Sequence, residues 1–235
     1  MHIESITNIG LHRDNNEDRF LAKAMDEKIA LLVIADGMGG HAAGEIAAEI
    51  AVGAFEGFCP AEADTGAELV ARVGRAQEAV IARARAVSSL NGMGTTLTAL
   101  VISGQSAFWA HVGDTRIYLY RKGGLLRITE DHTVAGMLLK DGKITREQAR
   151  VHPYSGVLTR CVGCEEYEPD TGDFELARGD LVFLSTDGLH DLLPDESIAS
   201  ILGARRALSE KLTDLVAACL KEGGRDNITA IIAGI

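Results

Sequence analysis

Apolar residues recur along the chain in short blocks bounded by turn residues, the pattern of strands. "HIESITNIG", "RFLAKAM" and "KIALLVIAD" come first. "TTLTALVIS", "SAFWAHVGD" and "RIYLYRKG" follow, and "DLVFLSTD" and "ITAIIAGI" come late. Turns as brief as "SGQS" and "GDT" separate several of them, which suits antiparallel neighbours. "IALLVIA" and "ITAIIAGI" are apolar on both faces and predict strands covered on both sides. A period near 3.6 replaces this alternation in three places. One helix is expected over about Ala42–Phe58. A second, over about Asp64–Val87, carries Leu69, Val73, Ala76, Val80, Ala84 and Val87 on one stripe. A third, about Leu208–Lys221, precedes the last strand. Residues 133–160 mix short helical pieces with polar turns and read as an insertion over one edge. Strands in runs, with helices held apart, predict an α+β fold: two antiparallel sheets packed face to face with helices outside. No repeat, linker or low-complexity tract divides the chain, so residues 1–235 are expected to form a single domain.

Charge narrows the partners. The formal net charge is −11, which argues against nucleic acid or an anionic membrane as the main partner, because both require basic patches. No secretory leader is visible, and the longest apolar run, near Ile29–Ala35, is too short to span a bilayer. A cytoplasmic protein is the expectation. Of Cys59, Cys161, Cys164 and Cys219, one pair alone has CxxC spacing and no second pair completes a zinc site. Reduced thiols are expected, with a Cys161–Cys164 redox pair as the alternative.

The informative chemistry lies where apolar blocks end. A carboxylate at the end of a buried strand is costly unless paired or bound to a metal. Asp36 stands there, followed by Gly37, and Asp187 repeats the form before Gly188. Asp114 follows "AFWAHVG", Asp226 precedes the last strand, and Glu17 and Asp18 open another. Asp36 alone could be a turn aspartate bonded to its own backbone. Together, on packed sheets, these groups can converge on one rim. Their repulsion would be relieved by cations, and an all-oxygen ligand set suits Mg²⁺ or Mn²⁺. Gly37, with no side chain, could turn its carbonyl toward the ion.

"RDNNEDRF", "IADGMGGHAAGE", "MGTTLTALV", "HVGDTRIYLYR", "ITEDHT", "STDGLHDLL" and "GGRDNIT" occur in that order between Asn8 and Thr229. The chain resembles the PPM family, the metal-dependent protein Ser/Thr phosphatases of type 2C, in their compact bacterial form. The resemblance implies a four-layer α-β-β-α sandwich with two Mn²⁺ or Mg²⁺ ions between the sheets. By that resemblance Asp36 bridges the ions, Gly37 offers its carbonyl, and Asp187 and Asp226 hold one ion. Glu17 and Asp18 act through metal-bound water, Arg13 clamps the phosphate, and residues 133–160 form a flap beside the site. Asp114 matches a ligand of a third ion, shared with Asp187; an ion pair with Arg116 is the alternative. Cys161 and Cys164 replace residues usually small and apolar in such flaps.

The implied reaction is hydrolysis of phosphoserine and phosphothreonine in proteins by metal-activated water. The substrates would be phosphoproteins of a cognate cytosolic Ser/Thr kinase, and the enzyme a monomer. His41 resembles the family's general acid, and its ordinary pKa suits that task. His132 is expected to shape the base of the flap, Arg116 to form a structural ion pair, and Thr95 and Thr96 to satisfy backbone groups. Two other functions remain open: a pseudophosphatase that only binds, and a phosphomonoesterase for small molecules.

Overall fold

Ile29–Met38 and Ile228–Gly234, which contain the two doubly apolar blocks, lie inside sheets, and in different ones. The structure, a computed structural model, describes residues 1–39, 43–60 and 64–235. Its strands are β1 (His2–Asn8), β2 (Asp18–Ala24), β3 (Ile29–Met38), β4 (Gly94–Thr95), β5 (Leu97–Ser103) and β6 (Ser106–Val112). β7 (Arg116–Arg121), β8 (Gly124–Arg127), β9 (Asp170–Glu175), β10 (Leu181–Ser185) and β11 (Ile228–Gly234) follow. One sheet has the order β1-β11-β10-β7-β8 and the other β2-β3-β5-β6-β9, with β4 beside the end of β3. Every pairing is antiparallel.

Side-chain parity explains the layering. Along β3, Ala30, Leu32 and Ile34 point between the sheets, where they share a core with Ile117, Leu184 and Ile231. Leu31, Val33 and Ala35 point the other way, onto α1 (Ala43–Gly53) and α2 (Thr65–Ala86). Across the molecule, Phe183, Ile228 and Ile232 pack beneath α6 (Asp195–Gly203) and α7 (Leu208–Lys221). The result is the expected α-β-β-α sandwich. A polar residue at Leu32 or Ile231 would forfeit roughly 1.5–3 kcal/mol of burial and strand a polar group between the sheets.

The elements depart from expectation in particular places. α1 stops at Gly53, not near Phe58; Gly57 takes a left-handed φ of 65°, and Phe55 and Phe58 still reach the helix-side core. Ala42 lies outside the described residues. α2 begins where Asp64 accepts the Ala67 amide at 2.9 Å. β9 was not anticipated. It alternates intermediate and exposed residues along an edge paired to β6 alone, so no apolar run announces it. β8, α6 and the short α5 (Asp187–His190) are further additions. Residues 133–160 carry α3 (Val134–Lys140) and α4 (Arg146–Arg150), each capped by a threonine, Thr133 and Thr145. A Thr133–Leu158 bridge closes this excursion at its base, and Arg150 holds its tip to the carbonyls of Asp191 and Leu192.

The expectation of reduced thiols is corrected at one pair. Cys161 and Cys164 form a disulfide across a turn that brings their Cα atoms within 5.3 Å, inside the range a disulfide spans. Cys59 and Cys219 are free thiols.

Candidate active site

The carboxylates meet where the inter-sheet core opens. Asp36 has the parity of Leu32 and Ile34, so its side chain continues their row to the mouth between the sheets. Asp18 is its partner across β2–β3. From the other sheet, Thr186 donates to Asp18 Oδ2 at 3.0 Å, which ties the two sheets together at this rim. Asp187 starts α5 directly after Thr186, and Asp226 lies just ahead of β11. Asn227 stitches the rim: its Oδ1 accepts the Glu17 amide at 2.8 Å, and its side-chain amide donates to the carbonyls of Ile9 and Asn15.

Both Asp-Gly pairs have the same physical reason. A Cβ on Gly37 would strike the backbone of Gly44, and a Cβ on Gly188 would strike that of Asn227. Each glycine therefore admits a close backbone approach beside its aspartate. Thr95 and Thr96 act as expected. Thr95 Oγ1 donates to the Asp36 carbonyl at 2.8 Å, and Thr96 Oγ1 accepts the Asp36 amide at 2.8 Å.

Electrostatics mark the cluster. Burial, and then the charges of Asp187, Asp18 and Asp114, push Asp36 well above the usual carboxylate range. Asp36 and Asp187 each raise the cost of charging the cluster to which both belong. Burial and the Asp226 charge push Asp187 up to about 6. Burial raises Asp18 to about 7 despite its bonds to threonines. Asp114 is raised well above its ordinary value by burial and by Asp187, Asp131 and Asp191. Buried oxygens of Glu17, Asp18 and Asp187 have no hydrogen-bond partner. Orphaned carboxylate oxygens among like charges are what divalent cations satisfy, so the residues present fit such ions. Among the described residues no three such groups already stand in a finished ligand arrangement. At the rim, Arg13 bonds Asp226 at 2.6 Å.

The predicted site residues thus divide. Asp18, Asp36, Asp114, Asp187 and Asp226 form one electrostatically coupled group with Glu17 beside it. Arg13 is at the rim but paired with a carboxylate. His41 lies outside the described residues. Arg116 does not pair with Asp114. It grips Asp131 through two bonds, at 3.0 and 2.7 Å, and Arg127 adds a third at 2.5 Å. His132 anchors the flap base: its ring accepts the Gly113 amide at 3.1 Å and faces Asp170. Sequence reasoning missed Asp191. It stands one turn after Asp187 in "STDGLHDLL", on the same helical face, and the i,i+4 spacing was the available signal. Exposed on one side, Asp191 is still enclosed enough that this and the Asp187 charge push it up to about 7. A cleft of about 850 Å³ runs from Asp114 and Asp191 between the flap helices and Asp195, over Arg116 and Asp131.

Residues 12–232 match the family described as protein phosphatase 2C. The chain belongs to the protein phosphatase 2C family. Its fold is that of this family. The serine/threonine protein phosphatase PstP of Mycobacterium tuberculosis is 39% identical over 228 residues, 96% of this chain; the chain spans 43% of that relative's length. The serine/threonine phosphatase stp of Listeria innocua is 34% identical over 99% of this chain and 95% of its own. A solved PstP catalytic domain in complex with two manganese ions superposes with a TM-score of 0.89 at 36% identity. It covers 98% of this chain and 96% of that one. This protein phosphatase 2C domain thus shares its α-β-β-α architecture with a neighbour that holds two metal ions.

Proposed function

We propose that this domain removes phosphate from phosphoserine and phosphothreonine in proteins, with Mn²⁺ or Mg²⁺ held by Asp36, the Gly37 carbonyl, Asp187 and Asp226. One observation carries the reading: carboxylates from strand ends of both sheets share one mouth, and three of their buried oxygens lack partners. Bound there, two divalent cations would acidify a water for in-line attack on phosphorus and screen the phosphate oxygens. Glu17 and Asp18, each with an unpartnered buried oxygen, would accept hydrogen bonds from water held by such ions. Arg13, released from Asp226 as that carboxylate turns inward, offers its guanidinium fork to two phosphate oxygens. His41, in its imidazolium form, gives a proton to the departing serine or threonine oxygen. Asp114 and Asp187 hold a third, looser ion, a role the Arg116–Asp131 pairing supports by leaving Asp114 without that guanidinium. Asp191 is a further candidate at that position.

The relatives' names support phosphoproteins as substrates, and a cognate Ser/Thr kinase as the enzyme that supplies them. No helix among the described residues is long and apolar enough to cross a membrane; a cytoplasmic monomer remains part of this proposal. The test is hydrolysis of a phosphothreonine peptide, p-nitrophenyl phosphate and small phosphomonoesters with added Mn²⁺ or Mg²⁺ and with EDTA. Metal-dependent turnover, with the peptide preferred in kcat/KM, is expected. Binding without turnover would mean a pseudophosphatase, and preference for a metabolite a small-molecule enzyme. His41→Ala should slow the peptide by about 10²-fold or more and the nitrophenyl ester far less, because nitrophenolate leaves without a proton.

A further inference from the structure

We infer that Cys161–Cys164 is a thiol–disulfide exchange site, open to small or protein dithiols, whose state sets how firmly Asp36 and Gly37 are held. This rests on the metal-site reading above. Cys161 is fully buried, its sulfur against Gly94, where a Cβ would come within 3.1 Å. Cys164, unlike Cys161, is partly exposed, so the attack is assigned to its sulfur. The residue between them in contact with the site is Val162, which exchanges two backbone hydrogen bonds with Thr95, both 2.9 Å. Thr95 in turn donates to the Asp36 carbonyl and stands opposite Gly37 in the β3–β4 register. From the other side, buried Gln77 of α2 accepts the Gly163 amide at 2.6 Å and donates to the Cys164 carbonyl at 2.7 Å. The disulfide ring is thus clamped between α2 and β4, the short strand that borders the Asp36–Gly37 end of β3.

Opening the ring changes that clamp. A dithiol's thiolate attacks Cys164 Sγ, the S–S bond breaks, and Cys161 leaves as a thiolate that takes a proton. The second thiol of the reductant then displaces Cys164, which leaves as its thiol, and the dithiol departs as its own disulfide. Two electrons pass to the protein, and the oxidised dithiol reverses the reaction. Cys161 is buried, and Val162 lies inside the ring. Opening the ring removes the covalent constraint on Val162, and that loss passes through its two bonds with Thr95 to the Asp36 carbonyl.

The experiment uses the full chain with Cys59→Ser, which removes the exposed free thiol. Protein prepared without reductant is alkylated under denaturing conditions and weighed by mass spectrometry. A second portion is reduced with excess dithiothreitol and desalted without oxygen, and a third is then reoxidised with the oxidised dithiol. Mn²⁺ binding is read by calorimetry and backbone motion by amide hydrogen exchange. The oxidised protein should protect Cys161 and Cys164 from alkylation. The reduced protein should bind Mn²⁺ about tenfold more weakly, the scale on which partners of metal ligands act. Its exchange should quicken at Thr95 and Val162, and reoxidation should restore both. Cys164→Ser should behave as the reduced form and ignore the dithiol. The inference is overturned if the two thiols alkylate freely and stay thiols after oxidant. It is equally overturned if the bond opens and closes with neither Mn²⁺ affinity nor exchange changed. Oxidised protein that binds Mn²⁺ but hydrolyses no phosphopeptide would remove the phosphatase reading and leave this one standing.

Discussion

Asp36 and Asp131 are both withdrawn from solvent at the end of the sandwich, and they answer burial in opposite ways. Burial and three neighbouring carboxylates push Asp36 upward. Burial would raise Asp131 too, but Arg116 and Arg127 outweigh it and hold that carboxyl well below the usual range. The difference separates structure from function. A buried acid supplied with arginines is already satisfied and holds β7 to the base of the flap. A buried acid supplied only with other acids is unstable until cations arrive, and a site can use that instability as affinity.

The comparison can be broken most sharply at Asp36. Asp36→Asn should lower phosphopeptide kcat by about 10³-fold, the scale of removing one preorganised electrostatic group. Without metal it should leave the fold intact and melt no lower than wild type, because it relieves repulsion. A variant with normal turnover at saturating Mn²⁺ would put the centre elsewhere. Asp131→Ala should do the reverse. It leaves two largely buried arginines without their carboxylate and should cost about 3–5 kcal/mol in denaturant unfolding. A loss near zero would show that water replaces the aspartate and that the pair is no anchor.

The two regions should also respond to pH with opposite sign. Folding raises Asp187 to about 6 and Asp18 to about 7, from an ordinary value of 3.8. Their contribution to stability is present in full below about pH 4 and is lost as pH rises through 6 to 7. Asp131 is depressed, so its contribution is present above about pH 4 and is lost as pH falls toward its lower folded value. Metal-free protein should therefore melt lower at pH 7.5 than at pH 5.5, by about 2–4 °C for each kcal/mol lost. Saturating Mn²⁺ should cancel that difference. Melting curves in EDTA that are flat across this range would mean that the rim acids are not buried together. The smallest effect is expected at Asp114, on the border of the two regions. Asp114→Ala should leave calorimetric binding of the two tighter ions in place and lower turnover by about tenfold, with an altered dependence on metal concentration. Wild-type turnover at every Mn²⁺ concentration would remove the third ion.

The acids that matter most were legible because apolar runs end on them. Leu31 to Ala35 announces a strand, and the charge that follows stands out against it. Asp187 after "FLST" is legible for the same reason. Asp191 was missed because it follows a short helix turn with no strand behind it, and β9 because an exposed edge strand has no apolar face to display. The Cys161–Cys164 spacing was visible, but reduced thiols were expected there, because spacing does not show the turn that brings the two sulfurs together.

Local alternation and block length determined the strands, the long helices and the two-sheet core, because those patterns depend on periods of two and 3.6 residues that a chain carries with it wherever it folds. Partner choice did not follow from them. Asp114 and Asp131 are both acids beside turns, and Arg116 is two residues from the first and fifteen from the second. The tertiary structure gave the arginine to Asp131. β7 and its neighbour β8 run back past each other and bring Arg116 and Arg127 onto one carboxylate, while Asp114 is left among the charges of Asp187 and Asp191. Charge pairing is decided over distances in space that sheet registry sets, and registry between strands far apart in sequence is a property of the folded chain.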